Sequence, residues 1–392
     1  MVGTQLRVAM LVRIADVRID NRVRREAETV ARLGHRVTVL VDSTSELPAS
    51  TDRIAWERVQ RRPRSRSALR HGRRPARALA RLLEAAPSPL RSRRLRPVRF
   101  WRDVAPQLRE LQPHVVHAHD LKTLYAGARY AHGAGVPLVY DAHELELYSM
   151  AIRSRTDRAV AWLFERYGIR RADAVITVGD AIAAELVRIH GVPPPTVLLN
   201  TPSIATAPSA PSTTLRELCG VGADARLLAY VGGLNAGRGV DELVAALDLL
   251  PESFHLAVVG PHALHATGGR LHSIAPVPGH EVPSLLSGAD VAVVPIAPTC
   301  RSYELSMPNK LFEGMMAGVP LAVSARQELA AFVRAHRLGT VFDEDDPASI
   351  AAAVTAVLGS PPDGIGDRAT QEAFSWEAQE PKLAALYAGL LS

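Results

Sequence analysis

The sequence alternates short apolar runs of strand length with stretches of helical periodicity, and this alternation extends along almost the whole chain. Strands are predicted at 6–12, 36–41, 114–119, 136–144, 173–178, 195–200, 226–233, 254–260, 290–296, 319–324 and 339–342. Regular alternation of strands and helices favours parallel sheets that are covered by helices. We therefore predict an α/β fold.

The predicted elements form two series, and a segment of different composition separates them. The chain has 392 residues, more than the roughly 100–200 residues that one domain usually contains. The segment TPSIATAPSAPSTT is rich in proline, serine, threonine and alanine, which is typical of a linker. We expect an N-terminal domain over 1–200, a linker over 201–225, a C-terminal domain over 226–373 and a terminal helix over 374–392.

The stretch RSYELSMPNKLFEGMMAGVP (301–320) has features of a nucleotide-binding helix. Pro308 is predicted to be the first helical residue, which puts Lys310 and Glu313 on one helix face. A helix N-terminus with a lysine suits phosphate, and a carboxylate one turn later can accept two hydrogen bonds from a ribose diol. The alternative interpretation is an amphipathic helix with a solvated Lys–Glu pair.

Polar residues and glycines also follow the ends of predicted strands in both domains. They are His119, Asp120, His143, Glu144, Gly232, Gly233 and Gly260. Ligands of open parallel sheets bind at the carboxyl ends of the strands. We therefore expect a ligand site in a cleft between the two domains.

Three motifs occur in order along the chain: YDAHELE (140–146), YVGGLNAGRGVDELVAAL (230–247) and LSMPNKLFEGMMAGVP (305–320). Together they resemble family 4 of the nucleotide-sugar glycosyltransferases, which have the GT-B fold. The resemblance implies two Rossmann-like parallel-sheet domains that face each other across a cleft, with the C-terminal helix packing back on the N-terminal domain. It also implies transfer of a sugar from a nucleoside diphosphate to a hydroxyl, with retention of the anomeric configuration, in surface polysaccharide or glycoconjugate biosynthesis.

The resemblance assigns the donor nucleotide to a group of residues in the C-terminal domain. These are Glu313 on the ribose, Lys310 and Arg238 on the diphosphate, and Gly232, Gly233, Pro308 and Asn309 around them. Gly233 stands where the family usually has an arginine, and we expect Lys310 to compensate for the lost cation. Arg238 and Lys310 would stabilise the negative charge on the leaving nucleoside diphosphate, so both are predicted to be catalytic.

The resemblance also assigns contacts to the transferred sugar and the acceptor. His143 matches a family histidine that faces the sugar or acceptor, where imidazole can hydrogen-bond a hydroxyl, and we predict that it is catalytic. The usual sugar-contacting glutamate is replaced by Leu305, so we expect Glu304, one residue before, to make that contact. Further residues predicted on the acceptor side are His119, Asp20 and Arg22, although helix capping also explains Asp20, and either His117 or His119 is expected to be structural.

We expect no metal and no cofactor beyond a UDP- or GDP-linked sugar donor. The acidic run DEDD (343–346) superficially resembles a metal motif, but Asp346 is better explained as a helix cap. The two cysteines, Cys219 and Cys300, fit no metal-type spacing, which favours a reducing, cytoplasmic location. The first apolar run is too short for a signal peptide and is predicted to be a buried strand.

An arginine-rich segment interrupts the N-terminal domain. Residues 58–102 contain sixteen arginines and a single acid, Glu84, whereas the whole chain has a net charge of +6. Such a segment favours an anionic membrane surface or an anionic glycan or lipid-linked acceptor, unless it is only a solvated insertion. It lacks the interleaved aromatic residues of a single-strand binder, so no nucleic-acid partner is expected.

Rival functions share some of these features. A sugar-nucleotide epimerase could have the same fold, and a non-catalytic protein could bind anionic lipid or nucleic acid through 58–102. A dinucleotide oxidoreductase is disfavoured because RIADVRID (13–20) contains no glycine. A P-loop ATPase is disfavoured because Arg238 and Gly239 replace the lysine and hydroxyl residue of that motif.

If the arginine-rich segment binds a membrane surface, the protein should sediment with vesicles that contain anionic lipid and stay in solution with neutral vesicles. The physical reason is attraction of about 1 kcal/mol for each basic residue near an anionic surface. Vesicle co-sedimentation at low and high salt measures this. Equal sedimentation with both kinds of vesicle would contradict the peripheral membrane hypothesis.

Overall fold

The computed structural model describes residues 5–14, 21–62, 96–234, 238–261 and 268–390. The chain forms two compact units. The first comprises Met1–Thr177, Ala183–Val197 and Leu383–Ser392, and the second comprises Val178–Ile182 and Leu198–Lys382. Each unit has a parallel sheet with helices packed on it, so the predicted α/β architecture with two Rossmann-like domains is confirmed.

The first unit contains a seven-stranded sheet in the order β3-β2-β1-β4-β5-β6-β7. Its strands are β1 (Arg7–Val12), β2 (Arg36–Val41), β3 (Ile54–Arg58), β4 (Val115–His119), β5 (Leu138–Ala142), β6 (Ala174–Thr177) and β7 (Thr196–Val197). The helices over this part of the chain are α1 (Asn21–Arg32), α2 (Arg96–Leu111), α3 (Asp120–Ala134), α4 (Arg155–Ile169) and α5 (Asp180–His190). A 3₁₀ turn, Glu146–Tyr148, follows β5.

Regular structure borders the arginine-rich segment on both sides, which the sequence reasoning did not predict. Strand β3 ends at Arg58 and helix α2 begins at Arg96. Phe100, Val104 and Leu108 recur at helical spacing in α2 and are all buried. Residues 63–95 lie outside the described residues, so the prediction for that segment stays a prediction.

The second unit contains a six-stranded sheet in the order β10-β9-β8-β11-β12-β13. Its strands are β8 (Arg226–Val231), β9 (Phe254–Val259), β10 (Leu271–Ile274), β11 (Val291–Val294), β12 (Leu321–Ser324) and β13 (Gly339–Phe342). Its helices are α6 (Thr214–Cys219), α7 (Val240–Asp248), α8 (Val282–Leu286), α9 (Arg301–Glu304), α10 (Asn309–Ala317), α11 (Gln327–Ala335), α12 (Pro347–Gly359) and α13 (Arg368–Ala373). Helix α6 and the 3₁₀ turn Ile204–Thr206 lie in the predicted linker, and β10 was not predicted.

Both faces of the second sheet are buried under helices. Side chains alternate between the two faces along each strand. In β8, Leu227 and Ala229 belong to the core on one face, which also holds α10. Leu228 and Tyr230 belong to the core on the opposite face, under α7 and α12. The apolar side of α10 is thereby fixed against the sheet, and its first turn is held at the carboxyl end of the strands.

The last helix, α14 (Trp376–Gly389), begins in the second unit and ends in the first. At its start, the Trp376 amide donates to the carbonyl of Pro202 at 2.9 Å. Near its end, Tyr387 is 1% exposed and its hydroxyl lies 3.0 Å from Nδ1 of His117. The expected return of the C-terminal helix to the N-terminal domain is confirmed.

Across the described ranges, the helices are all too short or too polar to cross a membrane.

Candidate functional site

The turn after β8 leaves room for a lysine. Gly232 has a φ of 144°, in the region that favours glycine. A Cβ at this position would lie 2.7 Å from both Cε and Nζ of Lys310. The backbone conformation therefore favours glycine, and a side chain at this position would displace the end of Lys310 from the backbone. The carbonyl of the next residue, Gly233, accepts a hydrogen bond of 2.7 Å from the Tyr230 hydroxyl.

Two cations of the second unit lie over aromatic rings beside this turn. Nζ of Lys310 is 5.3 Å from the Tyr230 ring centre, and Cζ of Arg238 is 4.8 Å from the Tyr303 ring centre. Burial, with the nearby Arg238 charge, lowers the pKa of Lys310 to about 7, although Glu313 acts in the opposite direction. Nε of Arg238 is buried and has no hydrogen-bond partner among the described residues. This cluster carries excess positive charge, so an anion would be stabilised there.

Helix α10 begins at Asn309, one residue later than predicted. Pro308 is its N-cap, with extended backbone, and no side chain caps the first turn. The first N–H groups of the helix therefore lie beside Lys310, its second residue. Glu313 follows one turn later and is 9% exposed. The predicted proximity of Lys310 and Glu313 on one helix is present, since each influences the other electrostatically.

Glu304, the residue expected to contact the transferred sugar, lies in the short helix α9. Its carboxylate pairs with Arg301 at 2.8 Å, and 38% of its side chain is exposed. Leu305, which occupies the usual family position of that glutamate, is 3% exposed and belongs to the core. Glu304 is therefore accessible, but its carboxylate is already engaged by a neighbour on the same turn.

The first unit holds a second cluster, which its parallel strands assemble. The register pairs His119 of β4 with Asp141 of β5. Side chains two residues apart share a face, so His117 and His119 lie on the same face as Asp141. Helix α1 covers that face with Arg22 and Glu26, which are one turn apart and completely buried.

Arg22 is the central cation of this cluster. Its Nε and Nη2 donate to the two oxygens of Asp141 at 2.7 and 2.8 Å, and Nε lies 3.1 Å from a Glu26 oxygen. Burial alone would raise the pKa of Asp141, but Arg22 and His143 hold it well below its usual range. Burial and the Asp141 charge raise the pKa of Glu26 well above its usual range, which favours its protonated form. Arg22, expected on the acceptor side, instead lies inside the unit and holds Asp141. Asp20 lies outside the described residues.

His143 follows β5 and sits between two carboxylates. Its Nε2 is 2.9 Å from Asp141, and its Nδ1 is 3.6 Å from Asp120. Burial acts to lower the pKa of His143, but Asp120 and Asp141 outweigh it and raise the pKa to about 10. The imidazole is therefore protonated at neutral pH, and 19% of its side chain is exposed. His143 can donate a hydrogen bond to a ligand but cannot act as a base.

Both histidines of β4 are buried, so neither faces solvent. Their rings stack at 4.4 Å, and Nδ1 of His119 lies 3.2 Å from Nε2 of His143. Burial and the neighbouring His119 lower the pKa of His117 well below its usual range, and its Nδ1 meets the Tyr387 hydroxyl. His119 thus contacts His143 directly, whereas His117 links the cluster to the C-terminal helix.

Sequence reasoning missed Asp141, Glu26 and the partnership of Asp120 with His143. Asp141 could have been found, because it precedes His143 by two residues and must share its face. Glu26 stands one helical turn after Arg22, which is also visible in the sequence. Asp120 has a φ of 62°, unusual for a residue other than glycine, and no sequence pattern announces that conformation.

Among the residues that the structure describes, two groups of acidic and histidine side chains have ligand atoms close enough together to hold a metal ion. One is buried and consists of Glu26, His117, His119 and Asp141, and the other is Asp343, Glu344 and Asp345. In the first group, the Arg22 guanidinium already occupies both oxygens of Asp141. Beside the second, Asp346 caps α12 by accepting from the Ala348 amide at 2.9 Å, as predicted. That the protein needs no metal stays a prediction.

Two family sequence models match the chain. The one described as Glycosyltransferase Family 4 matches residues 19–201, and the one described as Glycosyl transferases group 1 matches residues 225–360. Together they cover most of both units. The chain is a family 4 glycosyltransferase of the GT-B fold. It is therefore an enzyme of the transferase class, and the resemblance seen in the sequence is confirmed.

Among curated relatives, this glycosyltransferase is 27% identical over 304 residues to D-inositol 3-phosphate glycosyltransferase 2 from Catenulispora acidiphila, with 70% of each chain covered. It is 28% identical over 312 residues to D-inositol 3-phosphate glycosyltransferase from Xylanimonas cellulosilytica, with 70% of this chain and 71% of the relative covered.

Solved structures show the same fold. Sucrose-phosphate synthase from Thermosynechococcus elongatus is similar with a TM-score of 0.75, 19% identity and 99% of both chains covered. Anabaena HepE in complex with UDP-glucose has a TM-score of 0.71 and 17% identity, with 98% of this glycosyltransferase and 100% of HepE covered.

Replacing Arg22 by methionine should destabilise the glycosyltransferase by about 3–5 kcal/mol, because it leaves the buried Asp141 carboxylate without its partner. Urea denaturation monitored by circular dichroism measures the loss. Arg24→Met is the matched control: Arg24 also pairs with a glutamate four residues later, but 51% of its side chain is exposed. The control should lose at most about 0.5 kcal/mol. Similar losses in both variants would contradict the role of Arg22.

Proposed function

We propose that this glycosyltransferase moves a sugar from a UDP- or GDP-linked donor to a hydroxyl of a glycan, lipid-linked or small-molecule acceptor, with retention of configuration. The single observation that carries the donor assignment is the cation pair of the second unit. Lys310 and Arg238 share a half-buried position beside Gly232, and the uncapped start of α10 adds N–H groups there. A diphosphate supplies the negative charge that this position lacks.

The nucleoside is proposed to bind through Glu313. Its carboxylate lies one turn into α10, so it is near the phosphate position without occupying it. Two ribose hydroxyls can donate to the two oxygens of one carboxylate. The Anabaena HepE structures contain UDP or UDP-glucose, which supports a nucleotide-sugar donor of this kind.

Charge stabilisation is the proposed basis of catalysis. Cleavage of the sugar–phosphate bond leaves negative charge on the nucleoside diphosphate, and Arg238 and Lys310 would stabilise it. The sugar ring develops positive charge, and a phosphate oxygen of the leaving group would take the acceptor proton. Protonated His143 fits this scheme as a hydrogen-bond donor to a hydroxyl of the sugar or acceptor. Glu304 would contact the sugar while Arg301 holds its Oε2.

The proposal also covers the acceptor and the cellular location. Curated relatives are named D-inositol 3-phosphate glycosyltransferases, so D-inositol 3-phosphate is the first defined acceptor to test. We further propose a role in surface polysaccharide or glycoconjugate biosynthesis and a cytoplasmic location, with attachment to the inner membrane face through 58–102. A metal ion and nucleic acid have no part in the proposal.

A thermal-shift panel of UDP, GDP and dTDP, each alone and sugar-linked, tests the donor proposal. One nucleotide series should raise the unfolding temperature, because a ligand that binds only the folded protein stabilises it. Release of nucleotide only when an acceptor is added indicates a transferase, whereas acceptor-independent conversion of the donor sugar indicates an epimerase. No shift with any of the six compounds would contradict the proposal.

Glu313→Ala should weaken binding of the preferred nucleoside diphosphate by about 2 kcal/mol or more, since two charge-assisted hydrogen bonds are lost. This is about a 30-fold rise in Kd, and calorimetry measures it. The control is Glu372→Ala in α13, where 59% of the side chain is exposed, and its Kd should not change. Unchanged affinity in Glu313→Ala would rule out the ribose role.

Nucleotide binding should take up a proton above neutral pH. With a pKa of about 7, Lys310 is largely neutral in the free enzyme at pH 8, and a bound diphosphate favours its charged form. Affinity should therefore fall as the pH rises from about 7.5 to 9, a range in which phosphate itself, with a second pKa of about 6, is already ionised.

Calorimetry in two buffers with different ionisation enthalpies measures this proton uptake, which should approach one proton at pH 8–9. Lys310→Arg keeps its charge at these pH values, so it should bind without uptake and with little pH dependence. If the native enzyme and Lys310→Arg show the same uptake, Lys310 is not the group that titrates.

A further inference from the structure

The first unit contains a cavity of about 130 Å³ that the proposed mechanism does not use. Most of its wall is apolar, formed by Leu121, Ile152, Val160, Ala161 and Phe164. These residues come from α3, from α4 and from the segment between β5 and α4. An apolar cavity of about 150 Å³ is large enough to bind benzene, so this one suits an apolar group of similar size.

Four ionisable residues also line the cavity: Arg96, Lys122, Glu146 and Asp157. Glu146 is 4% exposed, and its buried Oε1 has no hydrogen-bond partner in the described structure. Nζ of Lys122, which also lines the cavity, lies 3.9 Å from that oxygen. Burial and the nearby Asp120 charge raise the pKa of Glu146 to about 8. A buried carboxyl oxygen without a hydrogen bond is costly, and a ligand hydroxyl would supply the hydrogen bond that Lys122, at 3.9 Å, does not make.

The cavity lies beside the histidine cluster. Leu121 and Lys122 directly follow Asp120, whose carboxylate is 3.6 Å from Nδ1 of His143. Glu146 follows His143 by three residues, and the charge of Asp120 acts on it. The cavity is thus at the carboxyl ends of β4 and β5, the edge of a parallel sheet where ligands bind. Met150, next to the lining residue Ala151, is a large apolar side chain that remains 41% exposed.

We propose that this cavity binds an apolar group of the acceptor, with Glu146 contacting a hydroxyl next to that group. The inference rests on the proposed transfer to a hydroxyl and narrows its acceptor to an amphipathic compound. The apolar group is a single aromatic ring or one to two isoprene units of a lipid. A wholly polar acceptor would leave the five apolar lining residues without contacts.

Two glycosides with the same sugar test this proposal. Binding of para-nitrophenyl β-glucopyranoside and methyl β-glucopyranoside to the full-length, UDP-saturated protein is measured by calorimetry. The aryl glycoside should bind at least about tenfold more tightly, because its ring leaves water for an apolar cavity. Geranyl β-glucopyranoside forms a third arm: a larger gain with the geranyl group identifies a lipid acceptor, and a larger gain with the aryl group identifies an aromatic one.

Variants of α4 distinguish binding in this cavity from binding to other apolar surface. Ala161→Phe fills the cavity and should abolish the gain, and Ala161→Leu, a smaller change, should reduce it. Ala159→Phe is the matched control, because Ala159 is exposed on the same helix and does not line the cavity. Each variant is first shown to be folded by its unfolding temperature and by unchanged UDP affinity.

The outcomes are distinct. Equal binding of the methyl, aryl and geranyl glycosides would overturn the proposal, and so would a gain that survives in both Ala161 variants. D-inositol 3-phosphate that binds more tightly than either apolar glycoside would also overturn it. Failure of both UDP and GDP to bind would instead refute the donor assignment, and the glycoside series is repeated without nucleotide so that its result does not depend on that assignment.

Discussion

The buried ion pair between Arg22 and Asp141 determines the chemistry of the first unit. Burial favours the protonated form of a carboxyl that has no cation beside it, and His143 would then lose one of the two negative charges, Asp120 and Asp141, that raise its pKa. Because Arg22 contacts both oxygens of Asp141, the aspartate stays ionised and can still accept from His143. Arg22, which is buried, thus influences the charge of His143, which is partly exposed. The helix that carries Arg22 is therefore part of the site even though it presents no group to a ligand.

The second unit shows the opposite balance of charge. Its cations lie over tyrosine rings, and Glu313 offsets them only in part. Stability and the proposed function conflict here, since a compensating carboxylate beside Lys310 would remove the electrostatic strain and also the proposed affinity for phosphate. The glycine at 232 belongs to the same compromise, because any side chain there would displace the lysine. The first cluster is neutralised internally, whereas the second keeps an excess of positive charge among the described residues.

Much of this arrangement could be predicted from the sequence. The alternation of apolar runs predicted both sheets, and the order of three motifs predicted the family and the start of α10 to within one residue. Local signals such as Asp346 before Pro347 also gave the correct helix start. These predictions succeed because they depend on periodicity and on residues close together in the chain.

Predictions that depended on contacts between residues far apart in the sequence were less complete. Arg22 resembled an exposed cation until its contact with Asp141, 119 residues later, was known. Glu304 stood almost at the expected position, and its pairing with Arg301 is a local i,i+3 pattern that the sequence reasoning did not use. The φ of Asp120 and the missing hydrogen bond of Glu146 Oε1 depend on how helices and strands pack against each other. No pattern of residue types encodes those details.

The contact between His117 and Tyr387 has a consequence for biosynthesis. Every other part of the histidine cluster is made before Val197, yet the tyrosine that closes it is translated 190 residues later. At roughly 5–20 residues per second, the ribosome needs about 10–40 s to cover that distance. During this interval the nascent first unit has an open position beside a buried histidine, while the entire second unit is being synthesised. Completion of the first unit therefore depends on α14, which is translated only after the second unit.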